Sequence, residues 1–403
     1  MVIDMKQLIK IEWFKLLRNK KNWVIVFACI VLMLINGYQN MAKNEEFIKD
    51  RIYYLDQESD NALMQRDELE KEMQGIDENS KEWKVLIEQY DFWSYETDAS
   101  RLLLGYYKNR SNSYGTDQMI AELSIERDRK LVEAVQKKYS GILFEFYTPE
   151  KEIKERQNEI YIIQELIKEN DENLRIDSDA KFLYSSPYEM NGLNFLAIIF
   201  DNGIFLFITL LLFLIVSDLY TKEIEQGSYK FYMTSPYHRS QIIVAKIMSA
   251  ALFSILFISL SLAIGFIVFS IWNDIGDIKY PYVVGTAQTT PCYIYLLKLG
   301  ILTLISIIFL ITVFMYLSLH TKSEAALISI GAGILLCTYF IYNLFYLTYP
   351  NIIELPFLSH IYIGSLVQYK NGLLGYIIGN VVSIMLFVYL SVSRFNKLDL
   401  KEG

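Results

Sequence analysis

The sequence predicts an all-α membrane protein: a polytopic bundle of six transmembrane helices, led by an interfacial helix and interrupted by a mainly helical extracytoplasmic domain. Three observations carry this reading. Of the 403 residues, 53% are hydrophobic and the mean hydropathy is positive, high for a chain that must keep a charged surface in water. Yet 21% are charged, and the charges are segregated. Residues 41–190 hold 21 Lys and Arg against 34 Asp and Glu, while the rest of the chain holds 17 against 12. Finally, apolar runs near the roughly 20 residues that cross a bilayer occur at 22–40, 195–219, 242–272, 293–319, 325–348 and 373–393.

The first element spans residues 1–21. Within it Met5, Leu8, Ile9, Trp13, Leu16 and Leu17 recur at spacings of three and four, with Lys6, Lys10 and Arg18 mostly off that stripe. This pattern predicts a helix lying on the cytoplasmic leaflet, where its apolar side chains leave water; a plain basic leader into the first span is the alternative. The apolar run 22–40 reads as an uncleaved span, because no small-x-small cleavage site follows it.

Next comes the acidic block, 41–190. Phe47, Ile48, Ile52 and Leu55, and later Ile153, Ile160, Ile163, Leu166 and Ile167, keep helical spacing among charged residues. Gly75, Gly105, Gly115 and Gly141 punctuate the block, and Pro149 suits a helix start. Some 150 residues suffice to bury a core, expected around Trp83, Tyr90, Phe92, Trp93, Tyr106 and Tyr107.

Residues 191–403 carry spans two to six. Counting Lys and Arg in the short flanks places Lys6, Lys10, Lys15, Arg18, Lys20 and Lys21, then Lys222, Lys230, Arg239 and Lys246, then Lys322, then Arg394, Lys397 and Lys401 on one side. The opposite flanks offer Lys279 and Lys370 with the acidic block. Both termini are therefore expected to be cytoplasmic and the block extracytoplasmic. Asp201, in FDNG, either lines a polar pathway or belongs to a cap of span two. Residues 349–371, broken by Pro350 and Pro356, are too apolar for an aqueous loop and suit short re-entrant helices or an anchored interfacial loop.

Chemistry-bearing motifs are scarce. Cys29, Cys292 and Cys337 lie in or beside apolar stretches and suggest no disulfide framework. His238, His320 and His360 are far apart in sequence, with no paired-His zinc signature and no phosphate-cradling glycine loop. The chain is expected to bind no metal, cofactor or nucleic acid and to hydrolyse no ATP itself.

The informative stretch is DLYTKEIEQGSYKFYMTSPYHRSQIIVAK, 218–246. Some 20 residues separate two spans here where a short turn would do. Glu223 and Glu225 precede Gly227, Pro236 and Arg239 form an SP-x-x-R turn, and Lys246 opens the next apolar run. A solvated charged turn would account for the basic residues singly. In its order of elements and in this loop, the sequence resembles the permease subunits of type-2 ABC exporters, in the branch with a large extracytoplasmic insertion.

The resemblance implies that 220–246 contains a coupling helix docking on a separate ATPase subunit, with Glu223, Glu225, Gly227, Pro236, Arg239 and Lys246 at the contact. It also implies a homo- or heterodimer of permeases with two ATPase copies that bind ATP and Mg. The expected setting is a bacterial plasma membrane. The branch points to a peptide cargo, antimicrobial, bacteriocin or signalling, with sodium or lipid as alternatives. Acidity of the external block would attract cationic peptides, though it also simply keeps such a domain soluble. The competing class is a membrane sensor or scaffold that binds an extracellular partner and transports nothing.

Overall fold

A computed structural model describes residues 5–109, 117–145, 148–169, 190–200, 203–228, 237–284, 288–321, 323–345, 363–368 and 373–397. Nearly all of it is α-helix. The chain divides into two compact units. Unit one comprises Met1–Gln39, Met190–Ile278 and Cys292–Gly403; unit two comprises Asn40–Glu189 and Lys279–Pro291.

Unit one opens with α1, Met5–Arg18, which buries Leu8, Glu12 and Leu16, one residue per turn. The expected apolar stripe is thus shifted: a carboxylate sits at its centre, while Ile11 and Phe14 lie exposed on the far side. A single residue later α2 begins. It runs unbroken over Lys20–Met73, because the segment has no proline and only Gly37 among its interior residues. Its first part belongs to unit one and the rest to unit two. It ends at Gly75, whose φ of +94° is the left-handed conformation glycine adopts at little cost.

The second apolar run departs from expectation. It is not one span from 195. Helix α6, Gly192–Ile198, is capped by Asn191, whose side chain accepts the Asn194 N–H at 2.8 Å. The chain then re-enters a helix at Gly203, φ +67°, to form α7, Ile204–Ser217. The Asn191 end of α6 is tied to residues 273–275. Gly192 N–H donates to Asp274 O, Leu193 N–H to Ile275 O, and Asn273 Nδ2 to Met190 O. Asp201 itself lies outside the described residues.

After α7 come α8, Thr221–Glu225, and α9, Arg239–Asn273. They are followed by α10, Cys292–Ser318, α11, Glu324–Phe345, α12, Ile363–Gln368, and α13, Leu373–Lys397. Among the described residues, six segments are long and apolar enough to cross a membrane: Lys20–Lys43, Ile204–Glu225, Arg239–Asn273, Cys292–Ser318, Glu324–Tyr342 and Leu373–Lys397. Of the stretch 349–371 only α12 is described; both of its expected prolines lie outside.

Unit two is built from the rest of α2 with α3, Lys81–Asn109, α4, Asp117–Gln136, and α5, Pro149–Glu169. Ser80 Oγ caps α3 by accepting the Trp83 N–H at 3.0 Å, and α5 begins at the proline expected to start it. Two aromatic clusters form the core. Leu55, Leu103, Tyr106, Tyr107 and Ile120 make one; Ala62, Leu69, Phe92, Trp93, Leu131 and Ala134 make the other. Trp83, expected among them, is only half-buried. An antiparallel pair, β1 (Pro281–Val283) and β2 (Thr289–Pro291), also belongs to this unit, with Tyr282 opposite Thr290.

Packing between the spans relies on glycine where rings press against backbone. A Cβ on Gly331 of α11 would lie 2.1 Å from the Phe213 ring of α7, itself packed on Phe314 of α10 at a centroid distance of 4.0 Å. Around Gly333 nothing lies within 4 Å. Gly331→Val should therefore cost about 1–3 kcal/mol by overpacking, whereas Gly333→Ala should be neutral or slightly stabilising through helix propensity. Thermal unfolding of both variants in detergent checks the contrast.

Candidate functional site

The charged residues of the 218–246 loop gather at the end of unit one where α1 packs on α9. Glu12, Lys15, Glu223 and Lys246 form a ring of two cations and two anions. Lys246 Nζ lies 3.1 Å from Glu12 Oε2 and 2.8 Å from Glu223 Oε2, and donates to Leu219 O at 2.8 Å. Its ammonium thus donates to Glu12 and to Leu219 O and forms an ion pair with Glu223, the compensation that a fully buried cation requires. Lys15 Nζ closes the ring, 2.9 Å from Glu12 Oε1 and 3.1 Å from Glu223 Oε1. Burial pulls the Lys15 ammonium toward neutrality, but Glu12 and Glu223 outweigh it, and its pKa is held above the usual lysine range.

The local sequence explains why these side chains meet. Glu12 occupies the buried stripe of α1 between Leu8 and Leu16, and the aromatic edge of Trp13 against Phe253, centroids 6.0 Å apart, seats α1 on α9. Lys246 is two turns into α9. The helix starts at Arg239, where Gln241 Oε1 accepts the His238 N–H at 3.2 Å. Glu223 sits on α8, which stops at Gly227: φ is +69° there, and its N–H donates to Ile224 O.

A second cluster adjoins the first. Lys21, at the start of α2, lies 2.8 Å from Asp218 Oδ1 and 2.5 Å from Glu324 Oε1. Asn19 Nδ2 donates to Asp218 Oδ2 at 2.9 Å. Glu225 Oε1 accepts the Glu324 N–H at 2.8 Å, placing a carboxylate at the positive end of α11. Arg239 donates to the carbonyls of Phe395 and Asn396, at 3.3 and 2.9 Å, and so binds the last turn of α13.

Of the residues expected from the loop motif, Glu223 and Lys246 are in direct contact, Glu225 and Arg239 join other spans, and Gly227 ends α8. Pro236 lies outside the described residues. The side chains of Glu223 and Lys246 point into the protein, so in this arrangement they hold the loop and do not present it. Glu225, Gln226 and His238 remain exposed.

Sequence reasoning missed Glu12, Lys15 and Lys21 as partners and treated the two lysines only as marks of orientation. The available signal was a lone acid one turn from Leu8 and one turn from Leu16. Asp218 and Glu324 were legible as charges at span ends; that Lys21 joins them was not.

Lys246→Met should leave Glu12 and Glu223 with only the half-exposed Lys15 between them, lowering stability by about 3 kcal/mol. Adding Glu12→Gln to that variant should recover part of the loss. Unfolding in detergent of the single and double variants measures both. Additive effects would mean that the two residues act separately.

A family model described as ABC-2 family transporter protein matches residues 7–400. No curated protein and no solved structure matches the chain. The match begins inside α1, ends beyond α13 and takes in all six apolar segments and the loop between α7 and α9. The chain belongs to the ABC-2 transporter family and is a membrane permease subunit of a type-2 ABC transporter.

Proposed function

We propose that this permease exports a peptide, antimicrobial, bacteriocin or signalling, from the cell or its membrane, and that a partner ATPase drives it through the loop between α7 and α9. Family membership implies association with an ABC ATPase and with the bilayer. In the proposed arrangement two permeases pair with two ATPase copies, which bind ATP and Mg. Both termini are cytoplasmic, and unit two is extracytoplasmic with an acidic character suited to cationic cargo.

One observation carries the coupling role: the fully buried Lys246 ammonium shared by Glu12 and Glu223. Through it α8 is bound to α1 and α9, while Glu225 binds α8 to α11 and Arg239 binds the start of α9 to the end of α13. A displacement imposed on the exposed part of the loop, at Glu225, Gln226 and His238, would reach four spans at their ends without needing each to touch the ATPase. Charge-assisted contacts in a desolvated setting resist being pulled apart, so the loop would transmit a push as one body.

Copurification from mild detergent with the products of neighbouring genes, followed by an ATPase assay, tests the partnership. A stoichiometric nucleotide-hydrolysing partner is expected; a chain that purifies alone and without ATPase activity would favour the sensor or scaffold reading. In the assembled transporter, replacing Glu223, Glu225 and Arg239 together should abolish transport while the partner still hydrolyses ATP. Transport and ATPase stimulation at wild-type levels in that variant would remove the loop from the coupling route.

A further inference from the structure

The interior of unit two holds more carboxylates than guanidiniums, and their hydrogen bonds are incomplete on both sides: Arg127 Nη2 also lacks a hydrogen-bond acceptor among the described residues. Four carboxylates, Glu58, Glu96, Asp128 and Glu152, are almost wholly buried there with two guanidiniums, Arg127 and Arg156. Arg156 is committed to three of its neighbours: its Nε to Glu152 at 2.9 Å, Nη1 to Asp128 at 3.2 Å and Nη2 to Glu145 at 2.6 Å. Arg127 Nε donates to Glu96 Oε1 at 2.7 Å, and Ser100 Oγ donates to the same oxygen at 2.8 Å. The third guanidinium, Arg51, is shared between Glu145 and Glu159. The Tyr54 ring lies between two of the arginines, 5.9 Å from Arg127 and 5.6 Å from Arg156.

Glu58 is left out of these pairings. It is fully buried, and no donor among the described residues reaches either of its carboxyl oxygens; the same holds for Glu96 Oε2. An ionised carboxylate so placed is several kcal/mol less stable than in water, so the group neutralises instead. We propose that Glu58 is a proton-binding site: a wholly buried carboxyl on α2, reached by no donor among the described residues, that holds a proton at neutral pH and loses it as the surroundings become alkaline, loosening unit two.

The neighbours favour a proton over a metal cation. The charges that act on Glu58 are those of Glu96 on α3, Arg127 on α4, and Arg156 and Glu152 on α5, and its own charge acts on Tyr54 of the same helix. Two guanidiniums among these repel a second cation, whereas a protonated carboxyl carries no charge. Burial, and next the Glu96 charge, push the Glu58 carboxyl up to about 8, against the pull of Arg127 and Arg156. In the unfolded chain the same group titrates in the ordinary carboxylate range. Folding therefore takes up a proton between that range and about pH 8. The stability is fully present on the acid side and is lost as pH rises through this window.

The site belongs to unit two alone and does not depend on the transport reading. Hydrogen–deuterium exchange of the intact protein in detergent, following amides of α2, α3 and α4 at pH 6, 7 and 8, compares the native chain with Glu58→Gln. Glutamine mimics the protonated acid and shares the same intrinsic exchange chemistry. The ratio of opening constants, native over variant, should rise about tenfold per pH unit, as release of one proton requires. A ratio independent of pH would overturn the proposal. If the variant does not fold, the infrared spectrum of the native chain decides: loss of a protonated carboxyl band near pH 8, beyond that of Asp128, which burial also pushes up, to about 7, supports the site, and absence of such a band at pH 6 overturns it. Saturable protection of these helices by sodium or calcium at fixed pH, lost in Glu58→Gln, would also overturn it, since a metal cation would then neutralise the carboxylate.

Discussion

Hydrocarbon offers no hydrogen-bond partner to a backbone N–H or C=O, and that constraint shapes unit one throughout. It makes each crossing segment a helix and sends the groups that cannot be satisfied within a helix to its ends. Six apolar segments meet the requirement along their length. At one end of them the protein supplies its own partners: Lys246 for Glu12 and Glu223, Lys21 for Asp218 and Glu324, and Arg239 for the carbonyls closing α13. Each pairing joins elements distant in sequence, so the same contacts that neutralise span ends also knit them together.

Unit two meets a related problem by other means. It gathers its charges inside, around three arginines and Tyr54, and surrounds them with aromatic clusters on either side of Glu58 along α2, at Leu55 and at Ala62. A buried ionic network contributes little net stability over apolar packing, yet removing one member is expensive. Such a network fixes which helix faces which. It also makes the unit responsive to protonation, because its carboxylates outnumber its guanidiniums. The acidic composition of the block is thus partly an interior property, beyond what solubility alone would require.

Where sequence reading fell short, the missing information was three-dimensional in a specific way. Hydropathy sees a run from 195 to 219 as one span because Asp201, Asn202 and Gly203 are too few to lower a window average. The turn at Gly203 is a matter of backbone conformation, with φ +67°. The units divide at residue 40, where polarity changes, but helix propensity does not change there, and that a single helix continues through to Met73 was not legible. In α1 a carboxylate interrupts the apolar stripe; Glu12 is accommodated there because Lys15, one turn on, and Lys246, 234 residues away, supply the counter-charge.

The sequence by itself determined the class. Segregation of apolar from charged residues dictates spans and a polar block, since each can be stable only in its own solvent. The long loop before Lys246 marked the family, which the match over 7–400 establishes. Tertiary structure alone decided which charges belong together. Ion pairs between residues such as Lys21 and Glu324, or Arg127 and Glu96, depend on helix orientation and packing, and these leave no periodic trace in a chain read linearly. For the same reason only the fold revealed that Glu58, one acid among many in an acidic block, has no cation of its own.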